Sequence, residues 1–519
     1  MADDSMLPDR AQSRITRRRL LYGSALAMAG LAGCGGDGSD TTTAGGNGNG
    51  NGNGNGGTTT GGNGNGMGTG TTEGPGMGTG TGTSTGTSTG TATPEPPDFP
   101  SEMTFLHFET DEARRSAIGE IGSAWQEETG TSLNQRAVAE ASLPTEIQAS
   151  IAADDIPATA ELPANTLLDT RGLIDTQNAN EIISEFGEDA FFDKALEFVS
   201  DGEDYLGVPL YMWTQLYGWD ENYRTENDLP VPNTWEDFRT FAEFTHDPDN
   251  NKFGCLVGTD NTPYTLQSFQ PFALSNDAHV FDEEGNIIFD NQEMVEALEY
   301  YGILGNLTPP GETGADDFGA WEKRQTYVYT SNTISFFFET AFDEGPGGWK
   351  AALSIDGPKK EATYGECVST ATMLTQNASK NRASKSFQKF MHRTEEDLST
   401  PTATGTATPP PAGSNSPYVN FCHLQPGLFN PTRPAVLDSD AYRSLDLFDK
   451  WPDAWLDEDI PNSIANAERF GRRGSNVFPE IGDIRGELLI TDAIKRVING
   501  DAAGTVASET AEEMRNVIS

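Results

Sequence analysis

The sequence predicts an α/β protein whose folded part divides into two lobes. Two observations lead there. From about residue 101 onward, helical stretches alternate with short apolar strands, the pattern of sheets covered by helices. That region continues to Ser519, longer than one hydrophobic core normally serves, so its interior is expected to split in two.

Thr104-Phe-Leu-His-Phe108 reads as the opening strand, followed by an amphipathic helix over Asp111 to Thr129 with Ile118, Ile121 and Trp125 on one face. Leu143 to Ala153 continues helical. Further helices are expected over Ile182 to Val199, Trp235 to Thr245, Gln292 to Leu304, Lys380 to His392 and Gly486 to Asn499. Short strands fall between them, notably Thr333 to Phe338 and Val368 to Leu374. Residues 399–417, rich in Thr, Pro and Gly, interrupt the pattern as a disordered insertion, and structure resumes at Tyr418.

The N-terminal residues carry signals of another kind. Arg17 and Arg18 precede a short apolar run that closes on Leu31-Ala-Gly-Cys34. A paired arginine before a hydrophobic segment is the twin-arginine export signature, a route for proteins already folded. Leu-Ala-Gly-Cys is a lipobox, in which the cysteine is lipidated and becomes the new N-terminus. The run from Leu20 to Leu31 includes Gly23, Ser24 and Gly30 and falls short of the roughly 20 apolar residues needed to cross ~30 Å of hydrocarbon. Residues 1–34 are therefore read as a twin-arginine signal with lipobox, and Cys34 as a lipid anchor at the extracellular face of the membrane. An uncleaved signal anchor and ordinary secretion are the alternatives. Residues 35–100 reduce to Asn-Gly and Thr-Gly repeats, which cannot bury a core and are costly to order. About 60 residues of such coil span roughly 40 to 45 Å, a tether that holds the folded part clear of the membrane.

The chain has 79 Asp and Glu against 33 Lys and Arg, a formal net charge of −46. Such a field repels phosphate backbones and excludes nucleic acid as a partner. Lysine supplies only 11 of the basic residues. An acidic, lysine-poor surface keeps its hydration in concentrated salt and points to an extreme halophile. The acids are interspersed with Trp, Phe, Tyr, Leu and Ile after residue 101, unlike those of a disordered acidic chain. Cys255, Cys367 and Cys422 are far apart and show no paired spacing, which argues against zinc and favours buried thiols over a disulfide.

Within the folded part, Tyr205-Leu-Gly-Val-Pro209, Leu216-Tyr-Gly-Trp-Asp-Glu-Asn-Tyr223 and Asn227-Asp-Leu-Pro-Val-Pro-Asn-Thr-Trp-Glu-Asp-Phe238 stand in that order. Pro271-Phe-Ala-Leu-Ser-Asn276, Phe281 to Asp290, Ser379 to Phe390, Asn430-Pro-Thr-Arg433 and Ile494 to Gly500 follow. Over roughly residues 101–519 this series resembles the extracellular solute-binding proteins of the sugar-binding, maltose-binding-protein-like class. The resemblance implies a type II periplasmic-binding-protein-like fold, with two α/β lobes joined by a hinge and a ligand cleft between them. Residues 101–208 with 331–430 would form one lobe and 209–330 with 431–519 the other, with Pro209 at the hinge. It further implies a monomeric receptor that captures a sugar or oligosaccharide by closure and delivers it to the permease subunits of an ABC importer, without cofactor or metal. Two departures fall near the cleft of relatives: Asp154-Asp-Ile-Pro-Ala-Thr159 replaces Gly-x-x-Pro-Asp, and Asn276-Asp277 replaces Gly-Gly.

Sugars present apolar C–H faces and hydroxyl edges, so their sites combine flat aromatic platforms with carboxylate or amide acceptors. On the family pattern the candidates are Tyr211 and Trp213 just after the hinge, and Tyr264 in Thr262-Pro-Tyr264. Phe336, Phe337 and Glu339 end the Thr333 strand, Glu109 and Asp111 follow the first strand, and Gly365, Glu366 and Arg433 complete the set. Core packing is the plain alternative for Trp213 and the phenylalanines, a loop for Gly365 and a surface position for Arg433. Two other functions compete. The same fold takes non-sugar solutes such as a polyamine, iron or glycerol phosphate, and an extracellular hydrolase would use paired carboxylates, though no catalytic motif accompanies them. Asp247 to Asn251 looks like the opening of a calcium loop, but Gly258 stands where its bidentate acid belongs, so a turn is expected.

Overall fold

The computed structural model describes residues 98–110, 112–310, 319–331, 348–375, 377–393, 430–443 and 455–519. Outside them lie Arg17, Arg18 and Cys34, nearly all of the expected tether, Asp111, the Thr333 to Phe338 strand with Phe336 and Phe337, Glu339, the 399–417 insertion and Cys422.

Strand β1 (Glu102–His107) alternates into the core through Met103 and Phe105. The helix that follows, Glu112–Thr129, lays Ile118, Ile121 and Trp125 on the sheet, as its spacing predicts. Trp125 is fully buried, its ring edge-on to Phe387 at 5.3 Å; burying one such side chain is worth roughly 2 to 3 kcal/mol. β2 (Ser132–Ala137) pairs parallel with one side of β1. Helix Leu143–Ala152, entered through Pro144, then returns the chain to β3 (Thr159–Pro163), parallel on the other side of β1. Winding in both directions from β1 makes its carboxyl end a topological switch point, where open α/β sheets form a crevice.

The chain rejoins this sheet as β4 (Val208–Thr214). β5 (Leu216–Asp220) belongs to a second, three-stranded sheet, between β6 (Val328–Ser331) and β7 (Trp349–Ala352). The expected boundary at Pro209 therefore falls inside β4, and the chain leaves the first sheet at Gln215. After β8 (Ile355–Asp356), the long β9 (Glu361–Thr372) inserts antiparallel between β3 and β4, buried from its second residue onward. The expected strand Val368 to Leu374 is its second half. β10 (Asn430–Pro431) and β11 (Ala467–Glu468) add short pairings to β4 and β9.

Two large apolar clusters result. The first gathers Phe105, Trp125, Leu162, Phe198 and Phe387 around the mixed sheet. The second gathers Tyr217, Phe238, Phe272, Tyr301 and Ile494 around the smaller sheet and helices Trp235–Thr245, Pro263–Ser275, Gln292–Leu307, Leu489–Ile498 and Ala503–Val517. Trp235–Thr245 matches its predicted limits because Thr234 caps it, accepting from the Asp237 N–H at 3.1 Å. Two expected helices differ. Ile182 to Val199 is two helices, Thr176–Phe186 and Asp193–Phe198, broken at Gly187 with φ 88°. The helix expected over Gly486 to Asn499 begins at Leu489, after Leu488 in the left-handed region at φ 57°. Arg472 reaches back to the end of Asp193–Phe198, donating to the Phe198 and Ser200 carbonyls at 2.9 and 2.8 Å and satisfying acceptors that a helix end leaves open.

Asp247 to Asn251 forms the expected turn, closed by Asn250 donating to Asp247 at 2.7 Å. Among the described residues no cluster of His, Cys, Asp and Glu is arranged to hold a metal, and no helix is long and apolar enough to cross a membrane. Cys255 and Cys367 are buried free thiols, one in each apolar cluster.

Candidate functional site

Three strands end at the switch point, and each brings a carboxylate: Glu109 just beyond β1, Glu140 just beyond β2 and Glu161 on β3. Backbone bonds hold the three strands in register. Val138 donates to the His107 carbonyl at 3.0 Å and Ala158 to that of Thr104 at 3.1 Å. Tyr211 enters from β4, its hydroxyl 2.9 Å from Oε1 of Glu109 and 2.9 Å from Oε1 of Glu161. The Phe108 N–H donates to Glu161 Oε2 at 3.2 Å, and Arg114 ion-pairs with the other oxygen of Glu109. All three members of the bridge are buried, with Glu109 1 % exposed and Glu161 and Tyr211 at 0 %. Burial, reinforced by the charge of Glu109, pushes the Glu161 carboxyl well above the usual carboxylate range.

The strand period puts Trp213 on the same face of β4 as Tyr211. Their rings lie 6.3 Å apart and 28° from parallel. Opposite Trp213 on β9 is Glu366, whose oxygens accept from Arg469 and the Ala164 N–H at 2.7 and 3.0 Å and from the Tyr364 hydroxyl at 2.7 Å. The indole N–H of Trp213 and both polar atoms of the Gln215 side chain have no partner among the described residues.

Two further carboxylates lie where the protein surrounds them without sealing them from solvent. Glu140 keeps much of its surface accessible, yet the density of protein around it, with the charges of Glu366 and Glu109, raises its pKa to about 7 against the pull of Arg485. Asp169, at the end of helix Ala164–Asp169, is raised in the same way by burial and opposed first by Arg485. Arg485 donates to it at 3.1 Å from helix Ile481–Gly486, which belongs to the second apolar cluster. This ion pair therefore bridges the two clusters.

Of the residues expected from the sequence, Glu109, Tyr211, Trp213 and Glu366 come together here. Gly365 adjoins them, but a Cβ there would stand 2.7 Å from Ala467 Cβ and 2.8 Å from the Phe198 ring, so packing demands the glycine. Tyr264 is buried in the second lobe, donating to the Thr330 carbonyl at 2.8 Å, and makes no described contact with the group. Arg433 is buried rather than on the surface, stacked over Phe186 and Phe191 and bonded to the His392 and Ala190 carbonyls. Pro209 lies within β4, its carbonyl accepting from Thr432 at 2.8 Å. Not foreseen from the sequence are Glu140, Glu161, Asp169, Arg469 and Arg485. The position of Glu140 just past a strand, and of Glu161 two residues from the end of another, is the signal that would have marked the first two.

No family model matches the chain. Over 409 residues it is 24% identical to YcjN of Escherichia coli (strain K12), named as an ABC transporter periplasmic-binding protein, covering 77% of this chain and 88% of that protein. Among solved structures, maltose-bound MalE3 of T. maritima superposes with a TM-score of 0.61 at 13% identity, over 80% of this chain and 99% of that one. The cyclic alpha-maltosyl-1,6-maltose binding protein of Arthrobacter globiformis gives 0.61 at 16%, over 81% and 99%. A solute-binding protein of Thermotoga lettingae TMO bound with alpha-D-tagatose gives 0.61 at 15%, over 81% and 100%. With strands that end on a switch point and two separate cores, the chain has the two-lobed α/β fold of the type II periplasmic solute-binding proteins.

Proposed function

We propose that this protein is the solute-binding component of an ABC importer and that it takes an uncharged, polyhydroxylated solute, a sugar or oligosaccharide, at the strand ends between its lobes. The electrical balance of the site supports this reading. Glu109 has Arg114, Glu366 has Arg469, Asp169 has Arg485, and Glu161 is pushed toward its neutral form. Such a site offers little net charge of either sign to a polyamine, a metal ion or a phosphate ester. What it does offer suits hydroxyls and a ring face: the Trp213 surface, its unpartnered N–H, the Gln215 amide and the accessible Glu140 carboxyl. The relatives whose names specify maltose, cyclic maltosyl-maltose and tagatose favour the same class.

The protein captures without turnover, delivers to permease subunits, and is exported through the twin-arginine signal to a lipid anchor at Cys34. A thermal-melting series in molar salt with maltose, spermidine and glycerol 3-phosphate tests the ligand class. The sugar is expected to raise the melting temperature, by the equivalent of roughly 2.7 kcal/mol at a hundred times its dissociation constant, and Trp213→Ala to abolish the rise. A shift with spermidine or glycerol 3-phosphate and none with sugar would sink the assignment.

A further inference from the structure

The hydroxyl of Tyr211 lies at hydrogen-bonding distance from two carboxylate oxygens at once, Oε1 of Glu109 and Oε1 of Glu161. A phenol has one O–H to give. It donates to one of these oxygens, and contact with the other at 2.9 Å is attractive only if that oxygen brings a proton of its own. The neighbours decide which carboxyl that is. Glu109 is ion-paired with Arg114 through its second oxygen, so it is the acid of the two that already has a cation beside it. Glu161 has no cation within ion-pair distance among the described residues. Its Oε2 is occupied as an acceptor by the Phe108 N–H, which leaves Oε1, the atom facing Tyr211, to carry the proton.

We infer that Glu161 is a neutral carboxylic acid in the folded protein, and that the chain from Glu161 O–H to Tyr211 O–H to the Glu109 carboxylate positions Tyr211 and, through it, the Trp213 ring. The proton assignment stands on hydrogen-bond valence and the Arg114 ion pair; its consequence for Trp213 rests on the reading of the cleft given above.

The surroundings agree from every side. Burial and the two acids push Tyr211 up, so the phenol does not supply the charge relief by ionising. His107 on β1 is held neutral by burial, its pKa near 4, and adds no cation. Across the sheet from Glu161 stands Thr370, whose hydroxyl is 3.5 Å from His392, itself pulled down to about 3 by burial and Arg433. Arg114 is the cation in contact, and it is engaged by Glu109. When Glu161 loses its proton, two buried carboxylates face one hydroxyl, and either Tyr211 or one acid must move.

The infrared difference spectrum between the wild-type chain and Glu161→Gln at pH 7 reads the proton directly. A deuterium-sensitive carbonyl band of a protonated carboxylic acid is expected in the wild type and should be missing from the variant. Glu161→Gln suits the site, since its amide donates to Tyr211 and its carbonyl accepts from Phe108. Equal bands in the two proteins, or no such band in the wild type, would overturn the assignment. Tryptophan emission followed to alkaline pH reads the second half. A shift is expected in the wild type and in neither Glu161→Gln nor Trp213→Phe. No wild-type shift, or one that survives either substitution, would refute the role in placing Trp213. Both measurements work without a solute, so their failure is distinct from failure of the sugar assignment.

Discussion

The two lobes solve the problem of a large interior with different materials. The first buries ionisable side chains among its apolar ones: His107, Glu109, Glu161, Glu366, His392, Arg433 and Arg469 are all at or below 4 % exposure. The second is built largely on aromatic rings. Phe272 meets Tyr217, Trp235, Phe238, Tyr300 and Tyr301 at centroid distances of 5.4 to 6.3 Å, and Tyr223 stacks on Tyr327 at 3.8 Å. A buried charge is tolerated only where a partner compensates it, and such pairs add little net stability. The first lobe therefore spends stability to place polar groups at its strand ends, while the second supplies a firm body for them to close against.

The largest test of this contrast lies in the second lobe. Phe272→Ala removes the ring at the centre of the aromatic cluster and is expected to lower stability by about 3 to 5 kcal/mol, with the same loss at pH 5 and pH 8 in urea denaturation. A loss that varied with pH would mean that the second core is also tied to titrating groups. In the first lobe, Arg469→Met strands the Glu366 carboxylate at 5 % side-chain exposure, at a cost of about 3 kcal/mol. Adding Glu366→Gln should restore most of it, and a double variant no better than the single one would show that the pair matters through packing alone. The smallest effect is a slope. His392 is neutral in the fold with a pKa near 3, against 6.5 when exposed. The unfolded chain binds that proton first, so His392 withdraws stability as pH falls from 6.5 toward 3. His392→Gln should flatten this acid limb by on the order of 1 kcal/mol by about pH 5.5; an unchanged limb would assign it to other groups.

What the sequence revealed divides by how local its determinant is, in both lobes alike. Trp235–Thr245 was legible because its cap and its apolar period are both local, and Ile118, Ile121 and Trp125 were legible for the same reason. Helix Pro263–Ser275 entered the sequence reading only through the Pro271 to Asn276 segment of the family pattern, because an internal proline argues against a helix and burial on nearly every side erases the one-sided pattern. Ala503–Val517 was missed because small residues give its apolar face little contrast. The site was half legible. Tyr211 and Trp213 stand in a stretch that resembles the family, whereas Glu161 reads as an ordinary surface acid until Tyr211, 50 positions away, is placed against it. Arg433 and Tyr264 show the converse: matching a motif locally did not place either beside the strand ends.

Arg472 and β9 together set an order of events for the chain. The first lobe begins at the start of the folded region, yet its central strand is residues 361–372 and the end of helix Asp193–Phe198 is completed by a guanidinium 274 positions later. No growing chain emerging from the ribosome can finish that lobe until nearly all of the sequence has been made. Completion of the first lobe thus waits on pairings remote in sequence, which form slowly for that reason. Truncation of the last fifty residues, although they lie mostly in the second lobe, removes Arg472 as well and leaves the first lobe unfinished.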